Sequence, residues 1–393
     1  MNSSPNHNLS ILLFDNQGLS HYTSYLALGL SKYHDVIFYS FSQNYFVITG
    51  ANKEKKIEHY SLEEKLPKGN SILKILGRSL ILFYILAREL TTRRYDIVHI
   101  QERLPTFFLF FPLLKLRRKR VVWTVHDIRL LPLSNGIRGK MEVIYRCIIS
   151  QPYFLAKYSD IIIVHSQSLK QQLVGRNIKQ NKIHVIPHFD YGYLLKRDGN
   201  VEALPNHDKK DTGYVLFFGD ITPWKGIETL INAVKIVKTK VGNDFKLVIA
   251  GRSYHGYVNT KNIVEKYGDF IKVIDKFITE SEIPALFQNS SFLVLPYNNS
   301  FQYSVSGVIP LAYTFSKPVV VSNVPSIVEY VDNNETGLIF ESGNYIQLAN
   351  CIVDLILNKD KCNTMGHRAY QKVMNEMSLE SCCAKLHELY CLA

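Results

Sequence analysis

Short apolar runs bounded by polar, glycine- and proline-bearing turns recur along this chain, and longer stretches of helical periodicity lie between them. Residues 9–14, 35–40, 97–101, 121–125, 161–165 and 183–186 have the length and mainly apolar character of strands buried on both faces. Apolar positions spaced three and four apart predict helices over 22–30, 72–90, 139–157 and 169–174. Strands that alternate with helices predict a parallel, doubly wound α/β sheet. Residues 196–212 (KRDGNVEALPNHDKKDT) are poor in apolar side chains and carry a Gly and a Pro, which reads as a linker. A second βα series begins at Tyr214 and continues to about Leu357, and residues 378–390 read as a closing helix. The expected division is therefore 1–195 for a first domain, 196–212 for the linker and 213–377 for a second domain.

The segment YVLFFGDITPWKGIETL, residues 214–230, carries the clearest chemistry. Val215 to Phe218 form an apolar run that Gly219, Pro223 and Gly226 interrupt. Ile227, Leu230, Ile231, Val234 and Val237 then mark a helix whose unpaired N–H groups and positive dipole end point back at the turn. Lys225 stands at that turn, so amides and an ammonium are available together for a phosphate. A lone Lys-Gly at a helix start is more often a solvated lysine, and it is the upstream half of the chain that raises the reading. There VVWTVHD, residues 121–127, ends an apolar run on His126 and Asp127, at the strand edge where ligands of open α/β sheets collect.

Taken in order, Gly18, DIVH at 96–99, TVHD at 124–127, SDIIIV at 159–164 with Ser166, VIPH at 185–188 and Lys225-Gly226 form a series. It continues through IAG at 249–251, LVLP at 293–296, KPVV at 317–320 and TGL at 336–338. In that order and spacing the chain resembles, over nearly its whole length, the retaining glycosyltransferases of the two-Rossmann-domain (GT-B) fold, family 4. The resemblance implies two Rossmann-like domains facing across a cleft, with the closing helix crossing back onto the first. It implies a hexosyl transfer from a nucleotide diphosphate sugar to a saccharide or lipid-linked acceptor in polysaccharide assembly, with no cofactor and no metal. Among catalytic positions it implies His126, lining the donor-sugar pocket, and Lys225, stabilising the leaving diphosphate. Donor-binding candidates are Gly18, Arg252, Phe277, Ser304, Ser306, Gly307, Val308 and Glu329, and acceptor-side candidates are Asn16, His21, Tyr22 and Asp127. Phe277 falls where the family holds the nucleotide base, and Glu329 is expected at a helix start or on the ribose side. His99 is expected to be structural.

The chain also departs from the family pattern. An arginine usual five residues before the lysine is here Asp220, and the two positions of the usual Glu-x7-Glu pair are here Tyr303 and Leu311. The turn 302–308 (QYSVSGV) is expected to bind phosphate through its amides instead, with a conformation or clearance at Gly307 that only glycine allows. These losses keep a second reading open, a degenerate transferase serving as scaffold or partner subunit. A nucleotide-sugar epimerase on the same fold is the third, although no convincing carboxylate set for proton abstraction stands out.

Composition changes the picture in one respect. At 393 residues with 46% hydrophobic content the chain is an ordinary globular protein, but its net charge of +12 asks for an anionic partner. The run KLRRKR at 115–120, after an apolar stretch at 106–114, and Arg78, Arg88, Arg93 and Arg94 around the 72–90 helix lie in the first half. They read either as solvated faces or as peripheral contact with an anionic membrane. Arg78 and Pro112 interrupt the apolar runs, so no spanning helix is expected, and no nucleic-acid motif is evident. The N-terminus lacks the pattern of a secretory signal, so a cytoplasmic protein is expected, at most peripheral on the cytoplasmic membrane face. The six cysteines show no paired or zinc-binding spacing.

Overall fold

The computed structural model describes residues 8–15, 20–40, 57–62, 72–101, 114–128, 151–195, 213–242, 245–254 and 260–392. These residues form two compact units, Met1–Pro187 with Leu379–Ala393, and His188–Ser378. The predicted linker 196–212, Asn16, Gly18 and most of the apolar stretch 106–114 lie outside the described residues.

The first unit is built from β1 (Ser10–Phe14), α1 (Ser20–Leu30), β2 (Asp35–Ser40), β3 (Ile57–Ser61), α2 (Ile72–Thr92), β4 (Ile97–Ile100), β5 (Arg120–Val125), α3 (Gln151–Tyr158), β6 (Ile161–Val164), α4 (Gln167–Val174) and β7 (Ile183–Val185). The strands form one parallel sheet in the order β3-β2-β1-β4-β5-β6-β7. The order reverses between β1 and β4, which makes their carboxyl ends a topological switch point. β1, β4, β5 and β6 are buried almost throughout, as strands covered on both faces must be. β3, reading IEHYS, was not anticipated: it is an edge strand with no buried residue, and a polar edge carries little apolar signal. Ser166 caps α4 by accepting from the Leu169 N–H at 3.1 Å.

The second unit continues with β8 (Tyr214–Phe218), α5 (Ile227–Val241), β9 (Leu247–Ala250), α6 (Thr260–Tyr267), β10 (Ile271–Ile274), α7 (Ile283–Gln288), β11 (Ser290–Leu295), α8 (Val308–Thr314), β12 (Val319–Ser322), α9 (Pro325–Val328), β13 (Gly337–Phe340), α10 (Tyr345–Leu357) and α11 (Lys359–Glu376). Its sheet is parallel in the order β10-β9-β8-β11-β12-β13, with the switch point between β8 and β11. One face of α5 (Ile227, Leu230, Ala233, Val234, Val237) buries into a core shared with β8, β9, β11 and α10. That is the apolar stripe the sequence predicted, and removing such surface from water, at about 25 cal/mol per Å², is what holds the helix to the sheet. α11 was not read from the sequence, because the face it buries (Cys362, Met365, Gly366, Ala369, Val373) is made of small or weakly apolar residues. Gly366 is required there: a Cβ would lie 2.2 Å from the Ser316 carbonyl oxygen.

The chain closes with α12 (Leu379–Leu392), which belongs to the first unit and packs on α1. Gly29 permits that approach, since a Cβ on it would meet Cys383 Sγ at 2.4 Å. Among the described residues no helix is long and apolar enough to cross a membrane.

Candidate functional site

In the second unit the switch point is lined by the residues that follow β8 and β11. After β8 the chain turns at Gly219 (φ +104°) and enters a 3-10 turn, Pro223–Lys225. It then passes through Gly226 in the left-handed region (φ +67°) before α5 begins. Gly226 meets the end of β11 so closely that a Cβ there would lie 1.8 Å from the Pro296 carbonyl oxygen. Gly226 is therefore demanded by backbone packing, and a Val at this position would strike Pro296 rather than a bound phosphate. The neighbouring strand makes a similar demand, because Gly251 (φ +153°) abuts the Gly219 carbonyl, 2.1 Å from where a Cβ would stand. This close-set backbone aims Lys225: its Nζ lies 2.7 Å from where a Gly219 Cβ would be and 5.7 Å from the centroid of the Tyr297 ring. An ammonium over an aromatic face is favourable, and the bare glycine gives it room. The opening N–H groups of α5 lie within the same turn, since the Leu230 N–H is the first to bond back, to Gly226 O.

The turn 302–308 narrows one expectation and limits another. Gly307 has ordinary helical torsions (φ −68°, ψ −9°), so no special conformation requires glycine; clearance does, because a Cβ would come within 2.9 Å of the Tyr191 hydroxyl. A larger residue at 307 would push Tyr191, not a ligand. The Ser304 N–H donates to Phe301 O, and the Val308 N–H donates to Ser306 Oγ at 3.3 Å, so these two amides are engaged within the protein and not turned to a phosphate. Ser306 Oγ also meets the Tyr297 hydroxyl at 3.3 Å, which ties the turn to the end of β11. Glu329 lies at the C-terminal end of α9 and not at a helix start. Phe277, after β10, is exposed, while its neighbour Lys276 is paired with Glu282 at 2.6 Å.

In the first unit, residues at the carboxyl ends of adjacent strands meet in one buried polar cluster. His126 follows β5, Gln101 follows β4 and His165 follows β6, and all three are buried. His126 Nδ1 is 3.0 Å from His165 Nε2, and His126 Nε2 is 3.3 Å from the Gln101 amide. Tyr22 of α1 packs its ring edge-on to both imidazoles, at 5.0 Å and 5.8 Å between centroids. His99, on β4, bonds Thr124 Oγ1 at 2.7 Å and the Tyr390 hydroxyl at 2.6 Å, a packed position in keeping with a structural role. Burial pushes the pKa of His99 down to about 3 and that of His165 down to about 4, so both rings are neutral at physiological pH. Asp127 is half-buried beside His126, and the side chain of His21 lies outside the described residues. Sequence reading missed Gln101 and His165 as site residues by absorbing them into their strands. The available signal was their shared place with His126, one residue past an apolar run at the same sheet edge.

The model for glycosyltransferase family 4 matches residues 17–189, and the model for glycosyl transferases group 1 matches residues 200–372. The two lie end to end over most of the sequence. The chain is a family-4-like glycosyltransferase. It is a glycosyltransferase with the two-Rossmann-domain, GT-B fold. It is 27% identical to the capsular polysaccharide biosynthesis glycosyltransferase CapM of Staphylococcus aureus over 283 residues, which is 68% of this chain and 69% of that protein. An uncharacterized 41.2 kDa protein in the cps region of Klebsiella pneumoniae is 24% identical over 67% of this chain and 71% of its own. The crystal structure of Anabaena HepE in complex with UDP and glucose superposes with a TM-score of 0.70 at 18% identity, covering 98% of this chain and 100% of that one.

The structure places the three positions at which the sequence was read as departing from the family pattern. Asp220 lies 3.7 Å from the Arg252 guanidinium, with both side chains partly exposed. Asp220 follows β8 and Arg252 follows β9, so the pair joins the carboxyl ends of two neighbouring strands. Leu311, at the second position of the missing glutamate pair, is buried in α8. Nothing in the structure explains the Tyr303 substitution.

Proposed function

We propose that this glycosyltransferase moves a hexosyl unit from a nucleotide diphosphate sugar to a saccharide or lipid-linked saccharide acceptor, with retention at the anomeric carbon, in cell-surface polysaccharide assembly. The observation that carries the donor class is Lys225. Its ammonium is held over a glycine at the β8 end, next to the amide-bearing start of a 15-residue helix. When the bond between the anomeric carbon and the diphosphate breaks, negative charge grows on the departing phosphate. A preorganised ammonium with helix amides stabilises that charge more than it stabilises the bound donor. Arg252 supplies a second cation at the next strand end, and the exposed ring of Phe277 is available to stack a base. On the first unit, His126 with Tyr22 and Asp127 lines the sugar and acceptor side. The likeness to CapM, a capsular polysaccharide biosynthesis glycosyltransferase, supports the polysaccharide setting.

Peripheral membrane contact belongs to the same proposal. Leu80, Phe83 and Tyr84 of α2 are exposed, opposite a face that buries Leu82, Leu86 and Leu90. Leu116 and the neighbouring Arg117 and Arg118 are exposed as well. The basic run contributes less than its composition suggests. Lys115 is paired with Asp160 at 2.6 Å, Lys119 donates to the Tyr95 carbonyl, and Arg120 donates to the Tyr390 carbonyl at 2.8 Å.

Calorimetry against a panel of uridine, guanosine and adenosine diphosphate sugars tests the donor class. NMR of the product's anomeric centre, with an oligosaccharide or lipid-linked acceptor, tests retention. Binding of one nucleotide diphosphate in the micromolar range and an unchanged anomeric configuration are expected. Absence of binding and turnover with every donor would reject the proposal, and an inverted product would reject retention.

A further inference from the structure

The polar cluster of the first unit extends into a chain of hydrogen bonds whose direction can be worked out from one end. The Ile186 carbonyl only accepts, so His165 Nδ1, 2.8 Å away, carries a proton and donates. His165 is neutral, hence its Nε2 is bare and accepts, and the donor it faces at 3.0 Å is His126 Nδ1. In the neutral form of His126, Nε2 is then bare and accepts from the neighbouring Gln101 amide. The other half of that amide faces His99 Nε2 at 3.0 Å. His99, also neutral, donates from Nε2 to Thr124 Oγ1 and the amide carbonyl, and its bare Nδ1 accepts the Tyr390 hydroxyl proton at 2.6 Å. With His126 neutral, the scheme closes with the Gln101 NH2 turned toward His126 and its carbonyl toward His99, the reverse of the amide's orientation in the structure, where Oε1 is 3.3 Å from His126 Nε2. Every bond then runs one way, from Tyr390 on the closing helix through His99, Gln101, His126 and His165 to the β7 end.

We propose that Gln101 and His165 are positioning residues for the transfer reaction, with Tyr390 setting the direction of the chain that holds His126 as its Nδ1–H tautomer in one ring orientation. This rests on the donor-side role given to His126 above. A ring bonded at both nitrogens to protein partners is held in one place, and it presents a fixed edge and its backbone to the sugar. Holding such a group in one place matters because displacements of about 1 Å cost roughly a hundredfold in rate. It also gives the closing helix a part in a site whose other residues lie between positions 99 and 165.

Histidine-directed 15N NMR on the full chain reads the tautomer directly, without reference to activity. Wild-type His126 is expected as Nδ1–H. Tyr390→Phe, which removes one hydroxyl and keeps the ring, is expected to mix the His99 and His126 tautomers and lower kcat three- to tenfold, with donor Kd unchanged within twofold. Gln101→Leu is expected to lower kcat ten- to a hundredfold with the same Kd. His165→Leu should do likewise, whereas His165→Gln should keep most of the rate, because one amide both accepts from His126 and donates to Ile186. A packing role alone would not separate Leu from Gln at 165, nor kcat from Kd. His126 found as Nε2–H in wild type overturns the proposal, as does a folded Gln101→Leu protein with kcat within twofold of wild type. Wild-type protein that transfers from no donor would instead reject the function, and the positioning role with it, while the NMR result still decides the hydrogen-bond chain.

Discussion

A single methyl group added at Gly219 tests whether Lys225 is the diphosphate ligand. The new Cβ would stand 2.7 Å from Lys225 Nζ, about 1 Å inside ordinary contact, so the ammonium must retreat by about that much. For unit charges at an effective dielectric of about 20, moving from about 2.8 to about 3.8 Å weakens the attraction from about 5.9 to about 4.4 kcal/mol. The difference, about 1.5 kcal/mol, is roughly a tenfold loss of donor affinity. Lys225→Ala removes the contact altogether, and at about 1.5–3 kcal/mol should cost roughly ten- to a hundredfold. Gly219→Ala also places alanine at φ +104°, which lowers fold stability by about 1–2 kcal/mol, a separate quantity read by denaturant titration. Calorimetry with a nucleoside diphosphate on the four proteins of the double-mutant cycle separates the two effects. If Gly219 acts through the lysine, Gly219→Ala is nearly silent once residue 225 is alanine. A tenfold loss in both backgrounds, or Lys225→Ala binding as tightly as wild type, refutes the reasoning.

Three further outcomes are expected. His99 and His165 have pKa values of about 3 and 4 when folded, against about 6.5 unfolded, so below pH 6.5 the unfolded chain binds two protons that the folded chain does not. Stability should fall as pH drops from about 6.5 to about 4, by up to about 2.7 kcal/mol per unit, and His165→Gln should reduce that slope by about half; equal slopes in denaturant titrations at pH 7, 6 and 5 would contradict this. Asp220→Asn removes a carboxylate beside the proposed anion site and should tighten nucleotide diphosphate binding roughly two- to fivefold at low salt, with the gain fading as salt rises; weaker binding would show that Asp220 holds Arg252 in place. Arg117→Gln with Arg118→Gln, combined with Leu80→Ser and Tyr84→Ser, should release the protein from anionic vesicles in sedimentation. Arg120→Gln should instead cost about 1 kcal/mol of stability through its lost bond to Tyr390 O; wild-type protein that never sediments with such vesicles removes the membrane contact.

Much of this protein was legible in one dimension. Strands buried on both faces must be apolar throughout, so β1, β4, β5, β6 and β8 announce themselves, and the interleaved helical stripes fix a parallel α/β arrangement. The Lys225-Gly226 turn was readable for the same reason, because local chemistry and the start of α5 are adjacent in sequence. Elements whose signal is weak went unread: β3 buries no residue, and α11 packs through small side chains. Only the tertiary structure decided what distance in sequence conceals. Gly226 answers to the Pro296 carbonyl, 70 residues on, and Gly307 to the Tyr191 hydroxyl, 116 residues back. Asp220, which by itself argues against an anion site, is answered by Arg252 on the next strand. Gln101, His126 and His165 stand apart along the chain and meet because parallel strands bring their carboxyl ends to one edge. Periodicity reports which face of an element is buried, but partners across strands depend on register and crossover order, and those are properties of the folded sheet.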